Sequence, residues 1–436
     1  MEYWKNGILA ALVIAMLIIP SSCTKKPRPH VVLIVLDTLR ADHLPFYGYH
    51  KNTAPFLLEL SFHSIVFENV FSASSYTAPA TASIFTSLYP FQHGVFTGFF
   101  ASKRKKIELN RIPERIKTIT EILKENGYKT YGVADNINIC PEEGFSQGFD
   151  KFKRFPYVQE QKMVRRLKEW AGEIKAQKKY FLYIHFNDCH GPYHQRLPWY
   201  EKKANKREDI ISRYDSEISY VDNKIKKLFH LFGWDKNTLL IITADHGEEL
   251  WDHNRKGHGQ SLYEEVIRVP LLIYFPGKDN LHKRIKSNVS NMDILPTVRN
   301  YLGIKSKEPE AGYNLMPLIH GRNRDFKNRY IFSHLLDRDK KGPRMIFRAA
   351  VYQDWKYIFY EHFRESNIFR KELYNLKDDP GEALNIIQEN ERVARQLFFG
   401  FMDFEQQCKK FRQETKKVKL TDKQEQELKT LGYVEQ

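Results

Sequence analysis

The feature that most constrains this chain is a set of short apolar runs that stop abruptly at polar residues. His30-Val31-Val32-Leu33-Ile34-Val35-Leu36 ends at Asp37, and Tyr180-Phe181-Leu182-Tyr183-Ile184-His185-Phe186 ends near Asp188 and His190. Thr238-Leu239-Leu240-Ile241-Ile242-Thr243 leads into Asp245-His246, and a run from Val269 to Phe275 is closed by Pro276-Gly277. Uninterrupted, β-branched runs of this length suit strands buried on both faces of a helix-covered sheet. Helical patterns at Ile116–Asn126, Gln159–Lys175 and Ile210–Phe232 separate them, so an α/β sandwich is expected. In such sheets ligands bind beyond the carboxyl ends of the strands, where Asp37, Asp188, His190, Asp245 and His246 all fall.

After about Gly321 the pattern changes. Tyr330–Ser333, Ile346–Val351 and Lys356–Tyr360 read as short strands joined by polar turns, followed by a helix from about Asn390 to Lys410. A small antiparallel sheet is expected there.

The N-terminus reads as an export signal. Lys5 precedes twelve apolar residues, Ile8 to Ile19. That is short of the ~20 needed to span a bilayer but suits the apolar core of a signal peptide. Cys23 follows Ser21-Ser22 and precedes Thr24-Lys25-Lys26, which resembles a bacterial lipoprotein cleavage site, although Pro20 stands where such sites usually carry leucine. An ordinary secretory signal or an uncleaved anchor is the alternative. With Cys23 lipidated, Cys140, Cys189 and Cys408 remain, and at least one of these must stay free or pair outside the chain.

The formal net charge is +16, with basic clusters at Lys103–Lys106, Lys202–Arg207 and Lys409–Lys419. This balance attracts anionic substrates or lipid headgroups, unless the clusters are simply solvated helix faces. No nucleic-acid motif accompanies the charge, so no nucleic-acid partner is expected.

Thr77-Ala78-Pro79-Ala80-Thr81-Ala82-Ser83 carries the candidate chemistry. Pro79 suits the first turn of a helix running towards Tyr89, which puts Thr77 at the helix entrance. There the positive end of the helix dipole favours an alkoxide or oxyanion. Alone, such a threonine is more often a cap. Asp37, Asp245 and His246, with the threonine oxygen, make a site for one divalent ion, and the carboxylate-rich set leaves zinc, manganese, magnesium and calcium open. His185 and His194 read as surface or packing histidines.

From His30 to the last residues the chain resembles the sulfatase-like hydrolases of the alkaline phosphatase superfamily. The fragments are Val35 to Asp42, Thr77 to Pro90, His93-Gly94-Val95, His190-Gly191-Pro192-Tyr193, Ala244-Asp245-His246-Gly247-Glu248 and His258-Gly259 with Leu262-Tyr263-Glu264-Glu265. Glu372-Leu373-Tyr374-Asn375-Leu376, Asp379-Pro380-Gly381-Glu382 and Leu431-Gly432-Tyr433 complete them. The resemblance implies an alkaline phosphatase-like fold, with a large mixed, mostly parallel sheet sandwiched by helices and a small C-terminal antiparallel α+β subdomain. The resulting division is a signal peptide at 1–22, a linker at 23–29 and a catalytic domain at 30–320. An antiparallel subdomain at 321–389 and a helix and tail at 390–436 follow. It also implies that Asp37, Thr77, Asp245 and His246 bind the metal, that Thr77 is the nucleophile, and that His190 and His258 contact the ester oxygens or the leaving group. Asp188 and His253 are further neighbours.

The departures narrow the chemistry. Members that cleave sulfate esters carry Cys or Ser at the position of Thr77, and that side chain is oxidised to formylglycine. Thr77 bears a methyl and a single hydroxyl and cannot become that aldehyde; Thr81 stands where the family has Arg, and Thr38 where many members have a second metal-binding aspartate. A threonine alkoxide suits phosphoryl transfer instead. The expectation is a hydrolase of anionic phosphodiesters, phosphonates or phosphomonoesters, with transferase activity open. The alternatives are sulfate-ester hydrolysis and a silent lipoprotein that binds anionic glycan or lipid.

Overall fold

The computed structural model describes residues 28–98, 108–155, 160–277, 282–339, 342–362, 364–411 and 417–419. The signal-peptide and Cys23 expectations, and Leu431-Gly432-Tyr433, lie outside them. Among the described residues no helix is long and apolar enough to cross a membrane.

The apolar runs build the middle of one eight-stranded sheet. Its strands are β1 (His30–Leu36), β2 (Ile65–Phe67), β3 (Lys129–Ala134) and β4 (Lys151–Arg154). They continue with β5 (Tyr180–Phe186), β6 (Thr238–Thr243), β7 (Leu271–Tyr274) and β8 (Lys283–Ile285). The order across the sheet is β8-β2-β7-β6-β1-β5-β3-β4. Every pairing is parallel except those of β7, which runs antiparallel to β6 and β2. The sheet is therefore mixed and mostly parallel. β1 lies at its centre with Val31 to Leu36 at most 1% exposed, which is why its sequence is apolar on both faces.

The helices follow their caps. α1 (Thr77–Thr86) starts after an extended Tyr76. α2 (Ile119–Glu125) begins three residues inside the apolar pattern, because Thr118 and Glu121 form a capping box. α3 spans Glu160–Lys175. α4 (Lys206–Phe232) begins ahead of its apolar pattern, because the Asn205 side chain accepts from Arg207 and Glu208 N–H and acidic residues fill the first turn.

The C-terminal sheet is antiparallel in chain order: β9 (Tyr330–Asp339), β10 (Gly342–Tyr352), β11 (Trp355–His362) and β12 (Asn367–Asn375). Alternate side chains divide between two cores. Ile331, Phe347, Ile358 and Tyr360 pack with Phe71, Tyr76 and Tyr263, while Phe332, Tyr357 and Phe359 pack with Leu397 and Phe401 of α5 (Glu391–Phe411).

Candidate active site

Four adjacent parallel strands, β6, β1, β5 and β3, release the chain at one edge of the sheet. Asp37 follows β1, Asn187 and Asp188 follow β5, Asp245 and His246 lie just past β6, and Asn136 just past β3. Thr38 takes a left-handed conformation with φ 57°, strained for a β-branched residue; its N–H points to Asp245 Oδ1 at 3.4 Å. On the other side, a Cβ on Gly247 would sit 2.0 Å from the Glu265 carbonyl oxygen. Only glycine lets the turn after His246 press against that backbone.

Asp37, Asp245 and His246 are completely buried, and each offers a ligand atom within 4.8 Å of the others. His246 Nε2 is 3.7 Å from Asp37 Oδ1 and 3.6 Å from Asp245 Oδ2, and Thr77 Oγ1 lies 3.2 Å from the same nitrogen. Asp37 Oδ2 accepts from Asn136 Nδ2 and lies 3.3 Å from His185 Nε2. Asp245 Oδ1 accepts from the His246 N–H at 2.8 Å. Asp37 Oδ1 and Asp245 Oδ2 are buried and have no hydrogen-bond partner among the described residues. Leaving carboxylate oxygens so is costly unless a cation completes them.

The imidazole could serve as a metal ligand. Its Nδ1 is 2.9 Å from the Gly247 carbonyl, which can only accept, so the proton sits on Nδ1 and the Nε2 lone pair faces the cluster. Burial, then the charge of His258, pulls the His246 pKa down to about 3, which keeps the ring neutral. Burial pushes the Asp245 carboxyl well above its usual range and the neighbouring Asp37 pushes it further. Burial also acts upwards on Asp37, but the His185 hydrogen bond and the surrounding imidazoles hold it well below the ordinary carboxylate range. Two acids held together so that one resists ionisation fit a site completed by a divalent cation. The residue set suits zinc, manganese, magnesium or calcium without choosing among them.

Thr77 is the first residue of α1 and 1% exposed. His258 lies beside the cluster, its ring centroid 4.6 Å from that of His246 and 4.9 Å from that of His190. Burial lowers the His258 pKa, but Glu248, whose Oε1 is 3.0 Å from Nδ1, outweighs it and the net shift is upwards. His190 Nδ1 donates to the Gly191 carbonyl at 2.7 Å. His190 and His258 line a cleft of about 560 Å³. The six residues singled out in the sequence, Asp37, Thr77, His190, Asp245, His246 and His258, therefore converge.

Other candidates sit elsewhere. Asp188 is held by Lys224 at 2.5 Å. His253 stacks on Tyr263 and bonds to Glu265 and the Glu382 carbonyl. His194, half-exposed, approaches Glu217 at 3.7 Å. His185 is no surface residue: it is fully buried between Tyr183, at 2.8 Å, and Asp37. Cys140, Cys189 and Cys408 are all buried and free. Residues the sequence reading missed are Asn136, which also bonds Asn187 at 2.7 Å, and Asn291, which donates to the Ala244 and Asp245 carbonyls. Glu248 was visible in the Asp245-His246-Gly247-Glu248 fragment, but nothing in the sequence paired it with His258.

Comparison with known proteins gives two family matches. The sulfatase model matches residues 29–304, and the model for the C-terminal region of N-sulphoglucosamine sulphohydrolase matches 255–407. Arylsulfatase K of Mus musculus is 24% identical over 478 residues, spanning 90% of this chain and 82% of the relative. Delta 4,5-hexuronate-2-O-sulfatase of Bacteroides thetaiotaomicron is 20% identical, spanning 83% of this chain and 85% of the relative. Among solved structures, phosphonate monoester hydrolase of Agrobacterium radiobacter superposes with a TM-score of 0.71 at 19% identity, covering 87% of this chain and 96% of that one.

Proposed function

The chain belongs to the sulfatase family of hydrolases, and from that premise we propose that it is a metal-dependent phosphoryl-ester hydrolase with Thr77 as nucleophile. The observation that carries the reading is Thr77 itself: a single hydroxyl on a methyl-bearing carbon, at the start of a helix, 3.2 Å from His246 Nε2. Asp37, Asp245 and His246 would hold the divalent cation with Thr77 Oγ1. When bound, such an ion withdraws charge from the ester oxygens and eases ionisation of the threonine hydroxyl.

The chain's own groups supply the rest. Thr77 Oγ1 loses its proton to solvent and bonds to phosphorus. The bond from phosphorus to the leaving oxygen breaks, and that oxygen takes the proton of His258, whose charged form Glu248 supports. Water then attacks phosphorus as its proton passes to His258, the Oγ1–P bond breaks, and Thr77 takes back from solvent the proton it lost. The amino end of α1 favours the negative charge that develops at the transferred group. Asn136 and His185 hold Asp37 in place.

Sulfate-ester hydrolysis is the second reading, favoured by relatives named as sulfatases across most of the chain. Its obstacle is the absence of a serine or cysteine at position 77. The N-terminal run and Cys23 support export with a lipid or signal anchor, and the positive charge supports an anionic ester substrate. The test is turnover of aryl phosphomonoester, phosphodiester, phosphonate and sulfate by protein loaded separately with zinc, manganese, magnesium or calcium. Phosphoryl turnover that falls by on the order of a thousandfold in Thr77→Ala is expected. Phosphoryl turnover that survives in Thr77→Ala, or sulfate turnover in place of phosphoryl turnover, overturns the reading.

A further inference from the structure

The cleft beside His190 and His258 has a second set of charges. α4 presents Lys206, Asp209 and Arg213 to it, residues spaced to share one helix face, and Lys256 lines it from the two-residue strand just before His258. The two acids of this lining are already engaged. Asp209 accepts from Tyr200 Oη at 2.6 Å, from Lys203 N–H at 3.1 Å and from Arg213 Nε at 2.8 Å. Glu248 is held by His258. Neither Lys206 nor Lys256 has a carboxylate partner among the described residues; Lys256 Nζ lies 5.5 Å from the centre of the Trp251 ring. The cleft is thus left with two unbalanced ammonium groups and a guanidinium that uses only Nε on Asp209. Its volume of about 560 Å³ is in the range of small-ligand sites, roughly 300–1,000 Å³.

We propose that this cleft is a second anion subsite, in which Lys206 and Lys256, with Arg213, bind an anionic group carried by the leaving part of the ester. The substrate class is then a polyanion: one anionic group is cleaved and another, a carboxylate or a second acid ester, anchors the molecule. This rests on reading His190 and His258 as the leaving-group side of the site. Both lysines line the one cavity, from a helix and from a short strand, so both ammonium groups have access to a single bound molecule. Because the lysines are exposed, the subsite selects through charge and salt-sensitive attraction rather than through a buried ion pair.

The experiment compares three aryl esters of whichever class the enzyme turns over, with a neutral amide, a carboxylate or a sulfonate on the ring. The readout is the kcat/KM ratio of each charged ester to the amide, in the wild type and in Lys206→Ala/Lys256→Ala. A ratio that falls about tenfold in the double variant, mainly through KM, and returns in Lys206→Arg/Lys256→Arg is expected. A larger drop for the carboxylate assigns the anchor to a carboxylate, and a larger drop for the sulfonate to a second acid ester. The same ratio in wild type and double variant overturns the proposal. Should no ester be hydrolysed, calorimetry with inert arylphosphonates carrying the same ring groups separates the two claims. Charge-dependent binding lost in the double variant sustains the subsite while the hydrolase reading falls, and binding equal in both proteins overturns the subsite.

Discussion

Asp37 and Asp245 at the ends of the central strands, and Glu264 and Glu382 at the seam with the C-terminal sheet, are both pairs of acids withdrawn from solvent. The seam pair is completed by the chain. Lys356 of β11, with no exposed side-chain surface, places Nζ 3.2 Å from Glu264 Oε1 and 2.9 Å from Glu382 Oε1, and Glu382 also accepts the Glu264 N–H at 2.6 Å. The strand-end pair gets asparagine, imidazoles and backbone N–H instead, and among the described residues no lysine or arginine reaches either carboxylate. The same burial problem is met from within at the seam, whereas at the site the three ligand atoms could be completed by a divalent cation. A fold that can supply a lysine in one place and withholds it in the other points to function at the second.

That contrast can be broken in three places. Lys356→Ala strands two acids in the seam and should cost ~3–5 kcal/mol in urea unfolding, while kcat of the protein that remains folded changes little; a loss under ~1 kcal/mol would mean the seam is not held by this charge. Asp245→Asn should do the reverse. It relieves repulsion with Asp37, so metal-free protein should unfold no lower, and slightly higher, than wild type. Divalent ion should no longer stabilise it, whereas wild type should gain ~2.7 kcal/mol at a hundredfold excess over Kd. Equal stabilisation of both proteins would remove Asp245 from the metal site. The smallest effect sharpens the rule at a third buried acid, Asp215, which meets His43 at 2.8 Å, Lys51 at 2.7 Å and Tyr49 at 3.0 Å. Burial raises its pKa, but these partners bring it below the ordinary value. Its stabilisation is therefore present above about pH 4 and lost as pH falls through the lowered folded value. Asp215→Asn should cost ~1 kcal/mol at pH 7, and the gap to wild type should close in acid. A gap constant down to pH 3 would contradict that assignment.

What could be read from the sequence follows from how each element is buried. β1, β5 and β6 are uninterrupted apolar runs because both sheet faces are covered, so Asp37, Asp245 and His246 stood out as their abrupt ends. β3 did not: Lys129-Thr130-Tyr131-Gly132-Val133-Ala134 starts exposed and contains glycine, and with it Asn136 was lost. His185 sat inside a recognised run, but strand alternation gives a face and not a partner, so its contact with Asp37 was invisible. In the C-terminal sheet β12 went unread because its first five residues are largely exposed. The family fragments around Glu264, Glu372 and Glu382 were legible as motifs before they had a physical meaning. The structure supplies it: Glu382 meets Glu264 and Lys356, and Glu372 accepts from Tyr263 and Tyr360.

The central claim is that Thr77 carries the transferred group. The most direct measurement is acid quenching of metal-loaded enzyme during turnover of an aryl phosphodiester, followed by mass spectrometry of the peptide containing Thr77. A phosphoryl group on the Thr77 peptide that builds up within the first turnover and is absent from the same peptide of Thr77→Ala is the expected result. An unmodified Thr77 while product accumulates, or a phosphoryl group on a different side chain, would contradict it.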